Sequence, residues 1–295
     1  MLIESGFLTD HYQQETMPLI EDDHPVDPGV RTAIESRLAA IEADYGVRIL
    51  YACESGSRGW GFASPDSDYD VRFIYVHPLP WYLQVTPQRN VIELPVANEL
   101  DINGWELRKA LGLLKKGNAT LIEWLDSPVI YRADAGFLRA MQDTARQTHQ
   151  AGRSLHHYAH MARRNYREHL TGATVRLKKY LYVVRPLLAA RWIEQERSTA
   201  PMPFQQLVDT LVTDPALRRA IDELLAFKRT ARESEYGAPL PVIDAFITAE
   251  LARLESILPP PPLDMDFSAL DRLLMETVLR FDALRKPGKK TGTAT

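Results

Sequence analysis

Residues 54–70 read ESGSRGWGFASPDSDYD, and this stretch joins two apolar runs, VRILYAC at 47–53 and VRFIYV at 71–76. Both runs have the length and the branched side chains of buried β-strands. After the first run, Gly56 and Ser57 free backbone N–H groups to face an anion such as a triphosphate. The stretch therefore predicts a strand, a phosphate-binding turn and a second strand.

Two carboxylates stand at the start of the second predicted strand. Asp68 and Asp70 are separated by one residue, and the period of two along a strand puts both side chains on one face. Two such oxygen ligands suit Mg²⁺, which binds few carboxylates and keeps places for substrate phosphates. The alternative is that aspartates here bond locally within turns, an explanation that suits Asp66.

A third carboxylate follows in the segment LDI at 100–102. Turn formation does not explain Asp101, because an unpaired charge inside an apolar run is costly. Three carboxylates that converge from two strands would repel one another unless a cation neutralised them. We therefore expect Asp68, Asp70 and Asp101 to bind a metal ion.

The order of these features resembles the DNA polymerase β nucleotidyltransferase superfamily, in which a strand, a Gly-Ser, a loop and an Asp-x-Asp precede a third carboxylate. Ten residues separate Ser57 from Asp68. This resemblance covers 47–103, with Ser55 where an apolar residue is usual. Over about residues 45–260 the chain also resembles the YcgL or RlaP group of nucleotidyltransferases, some of them associated with RNA repair. The segments that carry this closer resemblance are GSRGWG at 56–61, DSDYD at 66–70, NGWELRKAL at 103–111, KGNAT at 116–120 and KKYLY at 178–182.

The resemblance implies roles for the three carboxylates. Asp68 and Asp70 would bridge two Mg²⁺ ions, with Mn²⁺ as an alternative metal. Asp101 would hold the catalytic ion and help to deprotonate the attacking hydroxyl.

The expected phosphate contacts have simpler alternatives. Gly56 and Ser57 would meet the β and γ phosphates of a nucleotide, although Ser57 also suits an ordinary turn. Arg58 either clamps the triphosphate or serves the loop. Arg72 lies two residues after Asp70 on the same strand face, where it either pairs with a carboxylate or touches a phosphate.

A basic segment at 146–197 contains eleven Lys or Arg against three Glu and no Asp, within a chain of net charge −4. It faces either the phosphates of a nucleic acid or bulk solvent. Helical spacing over 175–196 predicts an amphipathic helix with Lys178, Tyr182 and Arg185 on one face. A tyrosine between two cations suits a nucleotide, so we expect substrate contacts here rather than a plain basic surface.

Composition places the chain among ordinary globular proteins, with 295 residues, of which 45% are hydrophobic and 25% charged. The single cysteine, Cys53, allows no internal disulfide and favours a reducing compartment. The first residues, MLIES, have no cationic start and no long apolar segment, which predicts neither a signal peptide nor a membrane span. We expect a cytoplasmic protein.

The predicted fold class is α+β, with a small mixed sheet followed by a helical domain. We expect a flexible N-terminal arm at 1–25, a nucleotidyltransferase domain at 26–130, a helical domain at 131–286 and a disordered tail at 287–295. The first helix is predicted to begin at Asp27-Pro28 and to end at Gly46. The prolines at 259–262 predict a stiff connector.

These expectations combine into an enzyme that moves a nucleoside monophosphate from an NTP such as ATP to a hydroxyl and releases pyrophosphate. The resemblance to an RNA-repair group implies an RNA end as the acceptor. A protein hydroxyl would instead make the chain an AMP- or UMP-transferring regulator. A third class, a non-catalytic nucleotide-binding or antitoxin-like module, would not need the three carboxylates. The sequence leaves the oligomeric state open.

Overall fold

The structure is a computed structural model, which describes residues 26–230, 236–257 and 266–285. The predicted arm at 1–25, the proline connector at 259–262 and the tail at 287–295 lie outside the described residues. Among the helices of the described ranges, none combines the length and the apolar character that crossing a membrane would require.

The central element is a mixed β-sheet, with five strands among the described residues. They are β1 (Arg48–Glu54), β2 (Tyr69–Val76), β3 (Val91–Glu93), β4 (Leu100–Glu106) and β5 (Ile130–Ala133). Their order in space is β3-β4-β2-β1-β5. β2 and β4 run parallel, whereas the other neighbouring pairs are antiparallel. The predicted strand–turn–strand unit is confirmed, and it forms the middle of the sheet.

One face of the sheet is covered by α1 (Pro28–Tyr45). The carboxylate of Asp27 accepts a hydrogen bond from the Val30 backbone N–H at 3.0 Å, which caps the first turn. Gly46 ends the helix in the left-handed conformation, with φ of 62°. Both predicted ends of this helix are therefore confirmed. Its buried side chains are Ile34, Leu38 and Ile41.

The opposite face of the sheet is covered by helices that follow β4. The helices of the first half of the chain are α2 (Gly56–Gly59), α3 (Leu79–Tyr82), α4 (Leu107–Lys115), α5 (Ala119–Leu125) and α6 (Ala135–Gln147). An apolar cluster joins α4, α5 and α6 to the sheet through side chains such as Leu50 and Ile74. The sheet therefore lies between two helical layers, and the carboxylates of β2 and β4 stand at its open end.

The second half of the chain is mostly helical. Its elements are α7 (Ala151–His169), β6 (Val175–Arg176), a 3₁₀ turn (Leu177–Tyr180), α8 (Leu181–Glu196), α9 (Phe204–Leu211), α10 (Pro215–Thr230), β7 (Tyr236–Gly237), α11 (Pro241–Glu255) and α12 (Ser268–Arg285). α7 to α11 share a separate apolar core, with α8 at its centre.

The division of the structure differs from the predicted boundary at residue 130. Two helices from the expected helical domain, α6 and α12, bury apolar side chains in the cluster beneath the sheet rather than in the core around α8. The sheet-bearing half therefore extends through α6 and is completed by α12. The side chains responsible are Phe137, Leu138 and Met141 on α6, and Leu270, Leu273 and Val278 on α12.

The predicted helix over 175–196 is also divided. Val175 pairs with Gly237 in the short antiparallel ladder of β6 and β7, and the 3₁₀ turn follows before α8 begins at Leu181. A 3₁₀ turn has about 3.0 residues per turn instead of about 3.6. The helical spacing that put Lys178 on one face with Tyr182 and Arg185 was therefore wrong at its first member.

Candidate active site

Asp70 and Asp101 lie side by side on the two parallel strands. In the register of β2 and β4, Asp70 is the direct neighbour of Asp101, so both side chains project from the same face of the sheet. Asp68 precedes β2 and is exposed to solvent. The sheet thus brings together two of the three predicted carboxylates, and the third stands next to them in the chain.

Arg72 connects these two carboxylates. Its Nη2 donates to Asp70 Oδ1 at 2.8 Å and to Asp101 Oδ2 at 2.7 Å. Its Nη1 donates to the Asp101 backbone oxygen at 2.8 Å. Of the two roles expected for Arg72, the structure shows the carboxylate pairing.

The donor set suits a hard divalent cation, because the aligned carboxylate oxygens are the ligands that Mg²⁺ and Mn²⁺ prefer. Within the described ranges, however, no group of three or more His, Cys, Asp or Glu side chains is arranged to hold a metal ion. At this site the Arg72 guanidinium pairs with the carboxylates of both Asp70 and Asp101. The chemistry therefore fits a metal, but only after Arg72 has shifted.

Gly56 lets the Asp70 carboxylate approach the turn after β1. A Cβ atom on Gly56 would lie 1.9 Å from Asp70 Oδ2, and the residue has φ of 57°. Both the space and the left-handed backbone require glycine here. The Gly-Ser turn and the Asp-x-Asp segment are therefore in direct contact.

Glu54 carries a buried carboxyl group next to Asp70, and no role was predicted for it from the sequence. It accepts hydrogen bonds from the Asp70 backbone N–H at 2.8 Å and from the Tyr131 hydroxyl at 2.5 Å. Burial raises the pKa of the Glu54 carboxyl to about 7. Its position as the last residue of an apolar strand, next to the Gly-Ser turn, was the signal that could have found it.

Ser57 and Arg58 shape the loop between β1 and β2. Ser57 is buried, and its backbone oxygen accepts a hydrogen bond from the Phe62 N–H at 3.0 Å. Arg58 donates to the Ser67 backbone oxygen at 3.2 Å, and its guanidinium lies 4.0 Å from the centre of the Tyr69 ring. Arg58 therefore ties the two ends of the loop together.

The loop docks into the helical half through Trp60 and Phe62. Phe62 belongs to the core around α8, and Trp60 packs against it. The Trp60 indole N–H donates to Glu123 Oε2 at 3.2 Å, and its backbone oxygen accepts from the Phe204 N–H at 2.9 Å. The segment that carries the candidate phosphate turn is thus held by side chains more than 60 residues further along the chain.

Arg185 does not lie where a substrate could reach it, which corrects the expected nucleotide contact. Its side chain is 1% exposed and pairs with Glu123, at 2.7 Å between Nη1 and Oε1. Its other nitrogens donate to the Met202 backbone oxygen, and the guanidinium stands over the Trp60 ring at 4.6 Å. A guanidinium enclosed in this way bonds to groups inside the protein and is not accessible to a substrate.

Lys178 and Tyr182 adjoin the loop, but Lys178 is as enclosed as Arg185, which corrects its expected nucleotide contact as well. Lys178 is almost fully buried, and its Nζ lies 3.4 Å from Asp66 Oδ1. Tyr182 is half-buried and packs edge-on against Trp60, with ring centres 5.5 Å apart. The 3₁₀ turn and the start of α8 therefore form a wall that packs against the loop between β1 and β2.

Lys228 joins this wall from α10 and was missed from the sequence. The residue is fully buried, and its Nζ lies 5.7 Å from the Phe62 ring centre and 5.8 Å from that of Tyr182. A buried lysine against two aromatic rings is unusual, because burial disfavours the charged ammonium. The sequence could not indicate the position of Lys228, since one lysine in an amphipathic helix has no distinguishing pattern.

A second basic surface lies on α7, in the predicted basic segment. A cavity of about 410 Å³ is lined by Arg163, Tyr166, Arg167, Leu251 and Glu255. An adjoining cavity of about 290 Å³ is lined by Arg164, Arg167 and Glu168. Arg164 and Arg167 are exposed, so their charges are available to an anionic partner.

Asp70 and Asp101 lie side by side on two parallel strands, and the Gly-Ser turn contacts Asp70. This arrangement is that of the polymerase β-like nucleotidyltransferases. Residues 30–276 match the family described as the RNA repair pathway DNA polymerase beta family, RlaP, and the chain belongs to that family. The expected membership of the YcgL or RlaP group is thereby confirmed.

A curated relative of the chain agrees with this assignment. An uncharacterized protein YcgL from Bacillus subtilis (strain 168) is 44% identical over 252 residues, which covers 84% of this chain and 96% of that protein. A solved nucleotidyltransferase-like protein from Exiguobacterium sibiricum 255-15 aligns over 87% of this chain and 81% of its own. That alignment has 13% identity and a TM-score of 0.29, too low to add support.

Proposed function

We propose that this protein is a metal-dependent nucleotidyltransferase that transfers a nucleoside monophosphate from an NTP to a hydroxyl acceptor and releases pyrophosphate. The observation that carries the proposal is the pairing of Asp70 with Asp101 on adjacent parallel strands, against the Gly56 turn. Within a family of polymerase β type, this is the geometry that such a reaction needs.

The three carboxylates would hold two Mg²⁺ ions, or Mn²⁺ in their place. Bound ions would neutralise charge on the phosphates and lower the pKa of the attacking hydroxyl. Asp101 would orient that hydroxyl and help to remove its proton. Asp68 and Asp70 would hold the metal ions on the side of the site where the triphosphate would bind. Catalysis would then come mainly from positioning and charge neutralisation.

The nucleotide would lie between the turn and the opposite wall. The backbone N–H groups at Gly56 and Ser57 would meet its phosphates, with Arg58 at the rim. Tyr182, which is half-buried, would contact it from the other side through its aromatic ring. The expected contact from Lys178 is not proposed, because that side chain is as enclosed as Arg185 and pairs with Asp66.

We further propose an RNA end as the acceptor. The family is described as one of an RNA repair pathway, and the exposed arginines of α7 have the charge that an RNA backbone requires. No membrane partner is proposed.

The reaction is tested by supplying each of the four NTPs, labelled at the α-phosphate, together with Mg²⁺ and either RNA oligonucleotides or protein acceptors. Label on the RNA end of the wild type, and none with Asp70→Asn, is the expected result. Asp143→Asn is the matched control, because this exposed aspartate lies on α6, outside the site. Label on a protein would reject the RNA acceptor. Equal background for wild type and Asp70→Asn with every acceptor would reject the transferase.

The acceptor surface is tested separately by RNA binding at several salt concentrations. Replacing Arg164 and Arg167 with Gln should weaken RNA binding and flatten its salt dependence, because the slope falls by about 0.7 for each lost phosphate contact of a single strand. Nucleotide binding should be unchanged. Arg89→Gln removes an exposed arginine beside β3 and serves as control. Equal salt slopes for all three proteins would place the acceptor elsewhere.

A further inference from the structure

The two ends of the Arg72 guanidinium have different partners. Nη2 donates to two carboxylates, Asp70 Oδ1 at 2.8 Å and Asp101 Oδ2 at 2.7 Å. Nη1 donates to two backbone oxygens, those of Asp101 at 2.8 Å and Val71 at 3.2 Å. These backbone oxygens belong to the paired strands β2 and β4, which hold them in place, whereas the carboxylates belong to side chains that can turn.

Nη2 stands where a cation would have to bind. Both carboxylate oxygens lie within 2.8 Å of this single nitrogen, so one positive charge already offsets one of the two negative charges of the pair. A metal ion that bridges these same two oxygens would have to take the place of Nη2. The side chains remain accessible for such an exchange, since 26% of the Asp70 side chain and 31% of the Asp101 side chain are exposed.

We propose that Arg72 is an internal counter-ion which competes with the divalent metal for Asp70 and Asp101. This inference rests on the proposed function, because it takes the two carboxylates as metal ligands. In the free protein Arg72 keeps the carboxylates from repelling each other. When a metal binds, Nη1 keeps the guanidinium beside the site through its backbone contacts, while Nη2 loses its partners.

The competition has a consequence for the order of binding. Metal alone binds weakly, because it must first separate a charged hydrogen-bonded pair. A triphosphate offers new oxygen partners to the released Nη2, so metal and nucleotide favour each other's binding through one side chain. Arg72 thus makes the carboxylate pair selective for metal that arrives with a nucleotide.

The experiment measures Mn²⁺ binding to the full-length protein directly, by electron paramagnetic resonance of the free ion, without any reaction. Arg72→Gln should bind Mn²⁺ about ten- to hundredfold more tightly than wild type, the effect expected when one charged hydrogen-bonded competitor is lost. Arg72→Lys keeps the charge but has one donor group, and its affinity should fall between the two. Adding a non-hydrolysable NTP analogue should tighten Mn²⁺ binding more in wild type than in Arg72→Gln.

Arg132→Gln is the matched control for this measurement. Arg132 also joins two carboxylates, Glu35 at 3.0 Å and Glu42 at 2.9 Å, and is similarly part-exposed, but it lies on β5 away from the site. It should leave the Mn²⁺ affinity unchanged. Melting curves without metal show whether each variant is folded, and Arg72→Lys carries the test if Arg72→Gln is not.

The outcomes separate this inference from the proposed function. Equal or weaker Mn²⁺ binding by folded Arg72→Gln and Arg72→Lys, with wild type binding normally, would reject the counter-ion and leave the metal site standing. If wild type, Arg72→Gln and Asp101→Asn bind Mn²⁺ with equal affinity, the assignment of Asp70 and Asp101 as metal ligands fails.

Discussion

Two arginine–carboxylate clusters in this protein use the same groups for opposite purposes. At the end of the sheet, Arg72 joins Asp70 and Asp101, with 17% of its side chain exposed. Between the halves, Arg185 joins Glu123 with only 1% exposed. A partly exposed pair can exchange its partner for a ligand at small cost, because water and ions can replace each group. An enclosed pair cannot, since separation would leave an uncompensated buried charge.

Burial, more than residue type, therefore decides whether a charged cluster stabilises the fold or can exchange a partner for a ligand. The Glu123 cluster also bonds Trp60 and Tyr158, so it holds the loop that carries the candidate phosphate turn. The cluster at the sheet faces the place where substrate would bind. One cluster therefore maintains the architecture, and the other is available for chemistry.

Asp101→Asn should separate activity from stability. Nucleotide transfer should fall by at least about a thousandfold, because several kcal/mol of charge stabilisation are lost. The free energy of unfolding should change by less than about 1 kcal/mol, since Arg72 keeps Asp70 as a partner. Initial rates with labelled NTP and urea unfolding of the metal-free protein give the two values. Substantial transfer by Asp101→Asn would remove it from the catalytic set.

The enclosed cluster should behave in the reverse way. Glu123→Gln keeps the shape of the side chain but leaves the Arg185 charge without its partner, which should destabilise the protein by about 3–5 kcal/mol. Combining it with Arg185→Met should recover part of that loss, because both charges are then absent. Urea unfolding of the two variants decides the point. A loss below about 1 kcal/mol for Glu123→Gln would show that water reaches this pair.

Two glycines in the left-handed conformation extend the same contrast to the backbone. Gly56→Ala and Gly46→Ala should each cost about 1–2 kcal/mol through backbone strain. Gly56→Ala should in addition abolish Mn²⁺ binding and transfer, because its Cβ would displace the Asp70 carboxylate, whereas nothing lies within 4 Å of a Cβ at Gly46. Thermal melts and Mn²⁺ titrations compare the pair. Unchanged Mn²⁺ binding by Gly56→Ala would show that Asp70 can adjust.

The last prediction concerns Glu54 and pH. Its folded-state pKa of about 7 lies above the ordinary value of 4.5, so the folded protein binds a proton that the unfolded chain has released. This raised pKa therefore lowers stability progressively as pH rises from about 4.5 to about 7. Glu54→Gln should flatten that decline and be more stable than wild type by about 1–3 kcal/mol at pH 8. Urea unfolding of both proteins across this pH range gives their free energies of unfolding. Equal changes of that free energy with pH in the two proteins would contradict the raised pKa of Glu54.

Much of the sheet and of α1 could be predicted because their signals are local. The apolar runs on either side of the stretch 54–70, the cap at Asp27 and the end at Gly46 each depend on neighbouring residues. The carboxylates of the candidate site were equally visible, since turn formation does not explain Asp101 inside an apolar run. The division of the second half could not be predicted, because Val175 pairs with a residue about 60 positions away.

From the sequence alone, the Gly-Ser turn and the three aspartates of the candidate site could be predicted, as could membership of a nucleotidyltransferase family. The directions of the long side chains became clear only from the packing of the folded chain. Arg185 looked like a substrate contact but turns inward to Glu123, Lys228 reaches the wall from α10, and Glu54 is enclosed behind Asp70. The physical reason is that strand and cap signals arise from adjacent residues, whereas the partner of a charged side chain is set by whichever distant element packs against it.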